Sequence, residues 1–357
     1  MAIRIEKPQG TDECTEFVLF HDEVYKSRGA RWMALVPFQL PVLTGEGPFA
    51  QDRELQPFIA REHGQIVARV LAAIDHRYQR HWKEPHLGHV LWFEALPGTR
   101  VATRALMDTA CEWLAERGAT AARAGMGMME FPFSTDDQDT LPPSFVRQNP
   151  LYYQSLLKDA GFETEQGFVD YRIAVTPELV ARWESALEAG RRNGFELVPL
   201  QDVPAARRVP EFTLLWNEPF RAHFGFVPFS EAEISNVLEG LSAFGMLETS
   251  LIAYREGVPL GTVWVTRDTS MLTARERELR DEEKVNFLGI GVREAARGRG
   301  LNLAMASHAY LELARRGAKH LSYTIVLDDN WPSRRTAEKL GATVCNNFVC
   351  YRRNFRA

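Results

Sequence analysis

The chain has 357 residues, 45% hydrophobic and 25% charged, with a formal net charge of −5. That is a globular composition with room for two domains, and its acidic balance argues against a dedicated nucleic-acid binder, which needs a basic face. No apolar run approaches the roughly 20 residues of a bilayer span, and the opening MAIRIEKPQG lacks the apolar core of a signal peptide.

Cys14, Cys111, Cys345 and Cys350 are scattered, with no Cys-x-x-Cys pair, so a cytoplasmic location is expected. Cys345 and Cys350 read as small buried or half-buried side chains of a strand. In chain order, Glu13 to Tyr25 predicts a helix, followed by a region interrupted by Pro37, Pro41 and Pro48. Phe58 to Ile74 reads as two strands about a His63-Gly64 turn, and Leu87 to Leu96 as another strand. Val101 to Arg117 predicts a helix closed by Gly118, and Ala121 to Met129 a strand. FPFSTDDQDTLPPSFVRQNP reads as a loop, Leu151 to Ala160 as a helix, and Phe168 to Ala174 as a strand.

Thr176-Pro177 caps a helix running to about Arg192. Beyond it, Phe195 to Leu200 is a predicted strand and Phe212 to Phe220 a predicted helix. Ser230-Glu231-Ala232-Glu233 is a capping box opening a helix that ends before Gly245. Leu251 to Thr266 predicts two strands about Gly257, and the charged run Arg267 to Lys284 a solvated connection. His320 to Leu327 is a strand, Pro332 to Leu340 a helix, and Val344 to Arg353 a last strand.

The halves share an order of short identities. Phe58-Ile59-Ala60 with Gly64 and Val70 recurs 193 positions on as Leu251-Ile252-Ala253 with Gly257 and Val263. Arg117-Gly118-Ala119 recurs as Arg316-Gly317-Ala318, and Gly161, Phe168-Val169 and Tyr171-Arg172 as Gly341, Phe348-Val349 and Tyr351-Arg352. Ordered matches on equivalent elements favour an internal duplication.

The stretch FLGIGVREAARGRGLNLAMASHAYLELARRGA, Phe287 to Ala318, carries the chemistry. β-type residues up to Val292 give way to Gly298 and Gly300, and a helix opens near Leu301. A strand, a glycine turn and a helix N-terminus make an anion cradle suited to a diphosphate, with Arg297 and Arg299 as cationic partners.

The succession strand, glycine turn, helix, strand, helix, strand resembles the GNAT superfamily of acyl-CoA-dependent N-acyltransferases. The family's signature is Arg or Gln, two residues, Gly, one residue, then Gly or Ala. Arg297 and Gly300 match it, and Asn302 departs at the last position by placing a side chain where space is usual. The resemblance implies acetyl-CoA as donor, held by Ile290, Val292, Arg297, Gly298, Arg299, Gly300, Leu301, Asn302 and Asn330. Ile290 and Val292 would lie on the splayed strand that meets the thioester, and Asn330 against the pantetheine arm.

It covers the second half well, whereas the corresponding ALPGTRVATR of the first half lacks the glycine turn. The expected fold is α/β with a mixed sheet, as two tandem GNAT-like domains. Residues 1–175 form the degenerate first domain, 176–194 a linker helix, and 195–357 the domain with the acyl-CoA site.

The implied reaction is direct attack of an amine on the thioester, with no protein nucleophile. The position where many family members place a tyrosine acid is Ala337. Tyr323, Asp328, Ser333 or a water could stand in, although each residue also reads as strand packing, a turn residue and an early helix residue respectively. Mixed spacing of His76, His81, His86 and His89 across a proline does not supply a metal set and reads as a polar surface loop. Among the aromatics Trp216, Phe220, Phe224, Phe226 and Phe229, Trp216 and Phe224 are the candidates for an acceptor pocket, with core packing as the alternative. The expected partner is a small-molecule or peptide amine, with no nucleic acid or membrane, in a chain that could pair as a homodimer. A non-catalytic tandem module that binds CoA or acts by interaction is the rival reading, and the acidic charge counts against aminoacyl transfer from tRNA.

Overall fold

The computed structural model describes residues 3–28, 31–128, 130–136, 146–243, 245–266, 274–275 and 284–355. In chain order its strands are β1 (Arg4–Glu6), β2 (Arg31–Trp32), β3 (Arg53–Glu62), β4 (Gln65–Asp75), β5 (Leu87–Ala95), β6 (Ala121–Ala124), β7 (Phe133–Ser134) and β8 (Glu163–Ala174). They continue as β9 (Glu196–Pro199), β10 (Leu251–Arg255), β11 (Val258–Thr266), β12 (Ala274–Arg275), β13 (Lys284–Val292), β14 (His320–Leu327) and β15 (Thr343–Asn354).

The two hairpins read from the sequence agree position for position. Phe58 pairs with Val70, and Leu251 with Val263. Each register slips once, after Ala60 in one and after Ala253 in the other. Each turn holds two left-handed residues, His63-Gly64 and Glu256-Gly257, the geometry that matches strand twist in a two-residue hairpin loop. The helix ends at Gly118 and Gly317 close alike: Ala119 N–H donates to Leu114 O, and Ala318 N–H to Leu313 O.

The chain divides into two compact units, one of Met1–Gly167, Ala274–Arg277 and Asn347–Ala357, the other of Phe168–Thr273 and Glu278–Asn346. In the first, β1, β3, β4, β5 and β6 run in that order, and the 351–354 end of β15 pairs antiparallel with β6. In the second, the 168–174 part of β8 pairs with β14, followed by β13, β11, β10 and β9. Each unit therefore takes a strand from the far half of the sequence. The bounds drawn from sequence at 175 and 195 differ from these, because an apolar alternation shows that a segment is a strand but not which strand it will join.

In the second unit the sheet is mixed: β13 and β14 are parallel and the other pairs antiparallel. The helices Pro177–Arg192 and Leu301–Arg315 bury Trp183, Met305 and Tyr310 with Val263 and Leu251 on one side. Gly190 makes this approach possible, since a Cβ there would stand 2.5 Å from the Ala304 Cβ. The helices Ala205–Phe220 and Glu231–Ala243 bury Phe212, Leu215 and Ile234 against Ile252 and Trp264 in a second cluster.

The caps form as expected. Thr176 accepts from Leu179 N–H, while Ser230 and Glu233 satisfy each other's backbone N–H groups. Three local readings are corrected. The proline-interrupted region contains the helix Val36–Leu43, with Pro37 in its first turn. The helix expected from Phe212 begins at Ala205 and runs through Pro210. The histidine stretch contains the helix His76–Trp82, capped by Asp75. Of the charged run Arg267 to Lys284, residues 267–273 and 276–283, including most of Arg275 to Glu283, lie outside the described residues, and 274–275 pair with β2.

Candidate active site

The turn after β13 has the backbone that the sequence demanded. Gly298 and Gly300 have φ of 74° and 76°, and a Cβ at either would meet nothing within 4 Å. These glycines thus serve backbone conformation, and the space beside them is open. Gly300 is the N-cap of the Leu301–Arg315 helix and brings no side chain to its first N–H groups, which leaves them available to an anion. Arg297 and Arg299 are exposed, and the Arg297 Nε reaches Val292 O at 3.4 Å.

The walls come from two strands that part. β13 and β14 pair only at Lys284 with His320 and Val285 with Leu321. Each strand carries an irregularity just beyond. On β13, Val265 faces Phe287 and Trp264 faces Gly289, so Leu288 is an extra residue. On β14 the register to β8 slips between Tyr323 and Val326, and Ile325 sits at φ 52°, a strained conformation for a β-branched residue. Bulges re-aim strands beside functional sites. Here they leave a cleft whose β13 backbone has lost its partner on one side.

That cleft is a cavity of about 420 Å³, within the range of small-molecule sites. Its lining includes Ile290, Val292, Arg297, Gly298, Asn302 and Asn330 among the residues proposed from sequence for coenzyme binding. Arg299, Gly300 and Leu301 do not line it. Arg299 accepts from the Asn193 amide through its carbonyl, Gly300 is the cap, and Leu301 is buried in the core. The Asn302 side chain donates to Thr336 Oγ1 at 3.0 Å, so it is drawn toward the next helix, Trp331–Lys339.

Of the candidate acids, Tyr323 and Ser333 both line the cavity and are hydrogen-bonded to each other at 2.9 Å. Burial pushes the Tyr323 phenol up to about 12, the Ser333 bond opposing it, so the hydroxyl is protonated at neutral pH. Asp328 is exposed at the end of β14, outside the cavity lining. Asn330 caps the Trp331–Lys339 helix by accepting from Ser333 N–H. Ala337 is fully buried.

From the end of the Ala205–Phe220 helix and the turn after it, the residues that line the cavity are Pro219, Phe220 and His223. Trp216 and Phe224 do not line it. Trp216 stacks on Phe212 and packs at 5.3 Å from Trp264, while Phe224 packs against Phe168. Gly289 and Gly291 explain this closeness: a Cβ at Gly289 would stand 2.7 Å from the Trp216 ring, and one at Gly291 2.5 Å from Leu215 O. The alternating glycines of LGIGV therefore let the Ala205–Phe220 helix lie directly on β13.

His223 was not singled out from sequence. Its Nδ1 lies 3.2 Å from Phe224 O. A carbonyl only accepts, so Nδ1 carries the proton and Nε2 holds a lone pair. Nε2 makes no hydrogen bond among the described residues. Burial lowers the imidazole pKa, opposed by the Phe224 carbonyl and the charge of Asp329.

The first unit closes the equivalent place with its own side chains. β5 stays paired with β6 through Leu87, Gly88, His89 and Val90. At its end Ala95 N–H donates to the Tyr153 hydroxyl at 2.8 Å, Tyr152 donates to Ala95 O, and Arg147 donates to Phe93 O. Tyr153 and Tyr25 also donate to the buried Glu94 carboxylate. Burial pushes that carboxyl up, but the His21 hydrogen bond and the charges of Arg147 and Arg69 outweigh it and hold it at about 2.

The histidines do not converge. His76 meets Glu54, His86 meets Gly118 O, and His89 is buried on β5 rather than in a surface loop. Among the described residues no three His, Cys, Asp or Glu side chains form a metal-holding group. None of the four cysteines forms a disulfide; Cys345 is exposed rather than buried or half-buried, and burial lifts the Cys111 and Cys350 thiols to about 12.

Residues 210–342 match the acetyltransferase (GNAT) family. A bacterial ceramide synthase of Caulobacter vibrioides (strain NA1000 / CB15N) is 24% identical over 202 residues, 54% of this chain and 51% of that protein. The chain thus spans about half the length of this curated relative. Among solved structures, a tandem GNAT protein from the clavulanic acid biosynthesis pathway, without acetyl-CoA, superposes over 99% of this chain and 98% of its own, with TM-score 0.59 and 14% identity. A GCN5-related glucosamine N-acetyltransferase region of a fungal multi-domain β-N-acetylglucosaminidase covers 98% of this chain and 38% of its own, with TM-score 0.60 and 14% identity. A GNAT-family acetyltransferase from Colwellia psychrerythraea covers 99% and 100%, with TM-score 0.52 and 12% identity.

Proposed function

Taking residues 210–342 as a GNAT acetyltransferase domain within a tandem GNAT fold, we propose that the chain transfers an acyl group from acyl-CoA to an amine in the β13–β14 cleft. One observation carries the reading: Gly298 and Gly300 adopt left-handed backbone at the mouth of an uncapped helix, with open space beside them. The diphosphate would meet the first N–H groups of that helix, with Arg297 as its mobile cation. Unpaired β13 backbone near Ile290 and Val292 would hold the thioester and donate to the oxyanion. Tyr323, buttressed by Ser333, offers a neutral O–H to the departing thiolate. A phenol at about 12 is a weaker acid than an ordinary thiol near 8.5, so its contribution is a hydrogen bond rather than full proton transfer.

The reading makes the first unit structural, its place for a donor taken by Tyr152, Tyr153 and Arg147, and the two units products of duplication. It sets the protein in the cytoplasm with a small-molecule or peptide amine as acceptor, independent of nucleic acid and membrane. Among the described residues no helix is long and apolar enough to cross a membrane. The name of the Caulobacter relative supports a second donor, a fatty acyl-CoA passed to a long-chain amine. Thiol release and product mass, with acetyl-CoA and palmitoyl-CoA offered to a panel of primary amines including sphinganine, test both. Acylated amine with either donor supports transfer and identifies the chain length. Tight CoA binding with no acylated product from any amine favours the non-catalytic module.

A further inference from the structure

We infer that His223 is the general base of this site, its Nε2 taking the proton that the attacking amine must lose. The inference rests on the acyl-transfer reading above and adds a residue to it. Three observations converge. His223 lines the same cavity as Phe220 and the β14 residues Tyr323 to Val326. Its Nδ1–H is committed to Phe224 O, which fixes the tautomer with the lone pair on Nε2. Nε2 has no protein partner among the described residues.

The ring is held by its own turn: His223 N–H donates to Phe220 O, and Phe226 N–H donates to His223 O. It also packs edge-on to Phe220 at 5.8 Å. The charged and titratable groups that act on it or share its cavity are Asp329, Tyr323 and Arg297. Among the described residues no carboxylate lines the cavity to compete for the role.

The step balances without a further reagent. The amine nitrogen bonds to the thioester carbon as the carbonyl π pair moves to oxygen, and Nε2 takes one N–H proton. The oxyanion pair then re-forms the carbonyl, the C–S bond breaks, and the thiolate receives a proton, giving an amide and a thiol. The imidazolium returns its proton to the thiolate or to water, restoring the neutral ring.

Two measurements on the full chain test the role. Nitrogen-15 spectra of histidine-labelled protein, with His223 assigned by its loss in His223→Gln, should show the Nδ1–H tautomer at pH 7; an Nε2–H tautomer overturns the inference and needs no acceptor to do so. In thiol-release assays with acetyl-CoA and tyramine, His223→Gln should bind acetyl-CoA as wild type does and lose about 10²–10⁴-fold in kcat. The wild-type acid limb set by the ring should vanish in the variant. Unchanged kcat and pH profile in the variant overturn the base and leave acyl transfer standing. Failure of wild type to bind acetyl-CoA overturns the acyl-transfer reading itself, and the base with it.

Discussion

The Asn302 amide donates to Thr336 Oγ1 at 3.0 Å, and Thr336 in turn donates to Pro332 O. The side chain at the one departure from the GNAT phosphate signature thus ties the Leu301–Arg315 helix to the Trp331–Lys339 helix within the cavity wall. Asn302→Ala should cost about 1 kcal/mol of stability through the lost bond. If the diphosphate is held by backbone N–H groups as proposed, acetyl-CoA affinity should stay within about threefold. Urea melts and calorimetry check both, and a tenfold loss of affinity would place the side chain itself on the ligand.

Gly291→Ala should destabilise the second unit by about 1–3 kcal/mol, the usual cost of overpacking. Its new methyl would meet Leu215 O, a backbone atom that cannot rotate away. Gly240→Ala, in a helix with nothing within 4 Å, should be neutral or stabilising. Equal melts for the two variants would contradict the close seating of the Ala205–Phe220 helix on β13.

Burial, then the nearby Arg123 charge, holds the His89 imidazole at about 4, and neither ring nitrogen is hydrogen-bonded. The folded pKa lies below the unfolded value near 6.5. The resulting stability is present above pH 6.5 and is lost as pH falls through 4, on the order of 3 kcal/mol. His89→Leu should remove this acid limb while keeping the neutral-pH fold. Denaturant midpoints between pH 7 and 4 measure it; an unchanged slope in the variant would show that His89 is not the group responsible.

The Tyr323 phenol behaves oppositely. Its folded pKa of about 12 lies above the unfolded value near 10, so stability is full below pH 10 and falls as pH rises toward 12. Tyr323→Phe should lose about 1 kcal/mol at pH 7 with the Ser333 bond and soften the alkaline decline. Melts at pH 7 and 11 decide; a variant as sensitive to alkali as wild type would exclude Tyr323 from that limb.

Local chemistry was legible in the sequence where a residue type answers a backbone need. The Gly298 and Gly300 turn, the Ser230–Glu233 box, the Thr176 cap and both hairpin turns all form as the residues require. What was hidden depends on distant partners. Nothing within Thr343–Asn354 says that part of it will pair with β6 rather than stay with its own half. Pro210 reads as a helix breaker, yet burial of Phe212 and Leu215 carries the helix through it. His89 looks polar in a string of histidines, but the strand pattern from Leu87 buries it. His223 was passed over amid the aromatics of HFGFVPF, because only the fold shows that Phe220 and His223 face the cavity while Trp216 and Phe224 pack behind it.

The diphosphate cradle is tested most directly by calorimetric titration of acetyl-CoA and of S-acetylpantetheine, which lacks the diphosphate, into wild type and Arg297→Ala. Acetyl-CoA should bind wild type at least 100-fold tighter than S-acetylpantetheine, and Arg297→Ala should weaken acetyl-CoA about tenfold, as expected for one charged hydrogen bond. Equal affinity for the two ligands, or full affinity in Arg297→Ala together with Gly300→Val, would contradict a diphosphate held at Gly298–Gly300.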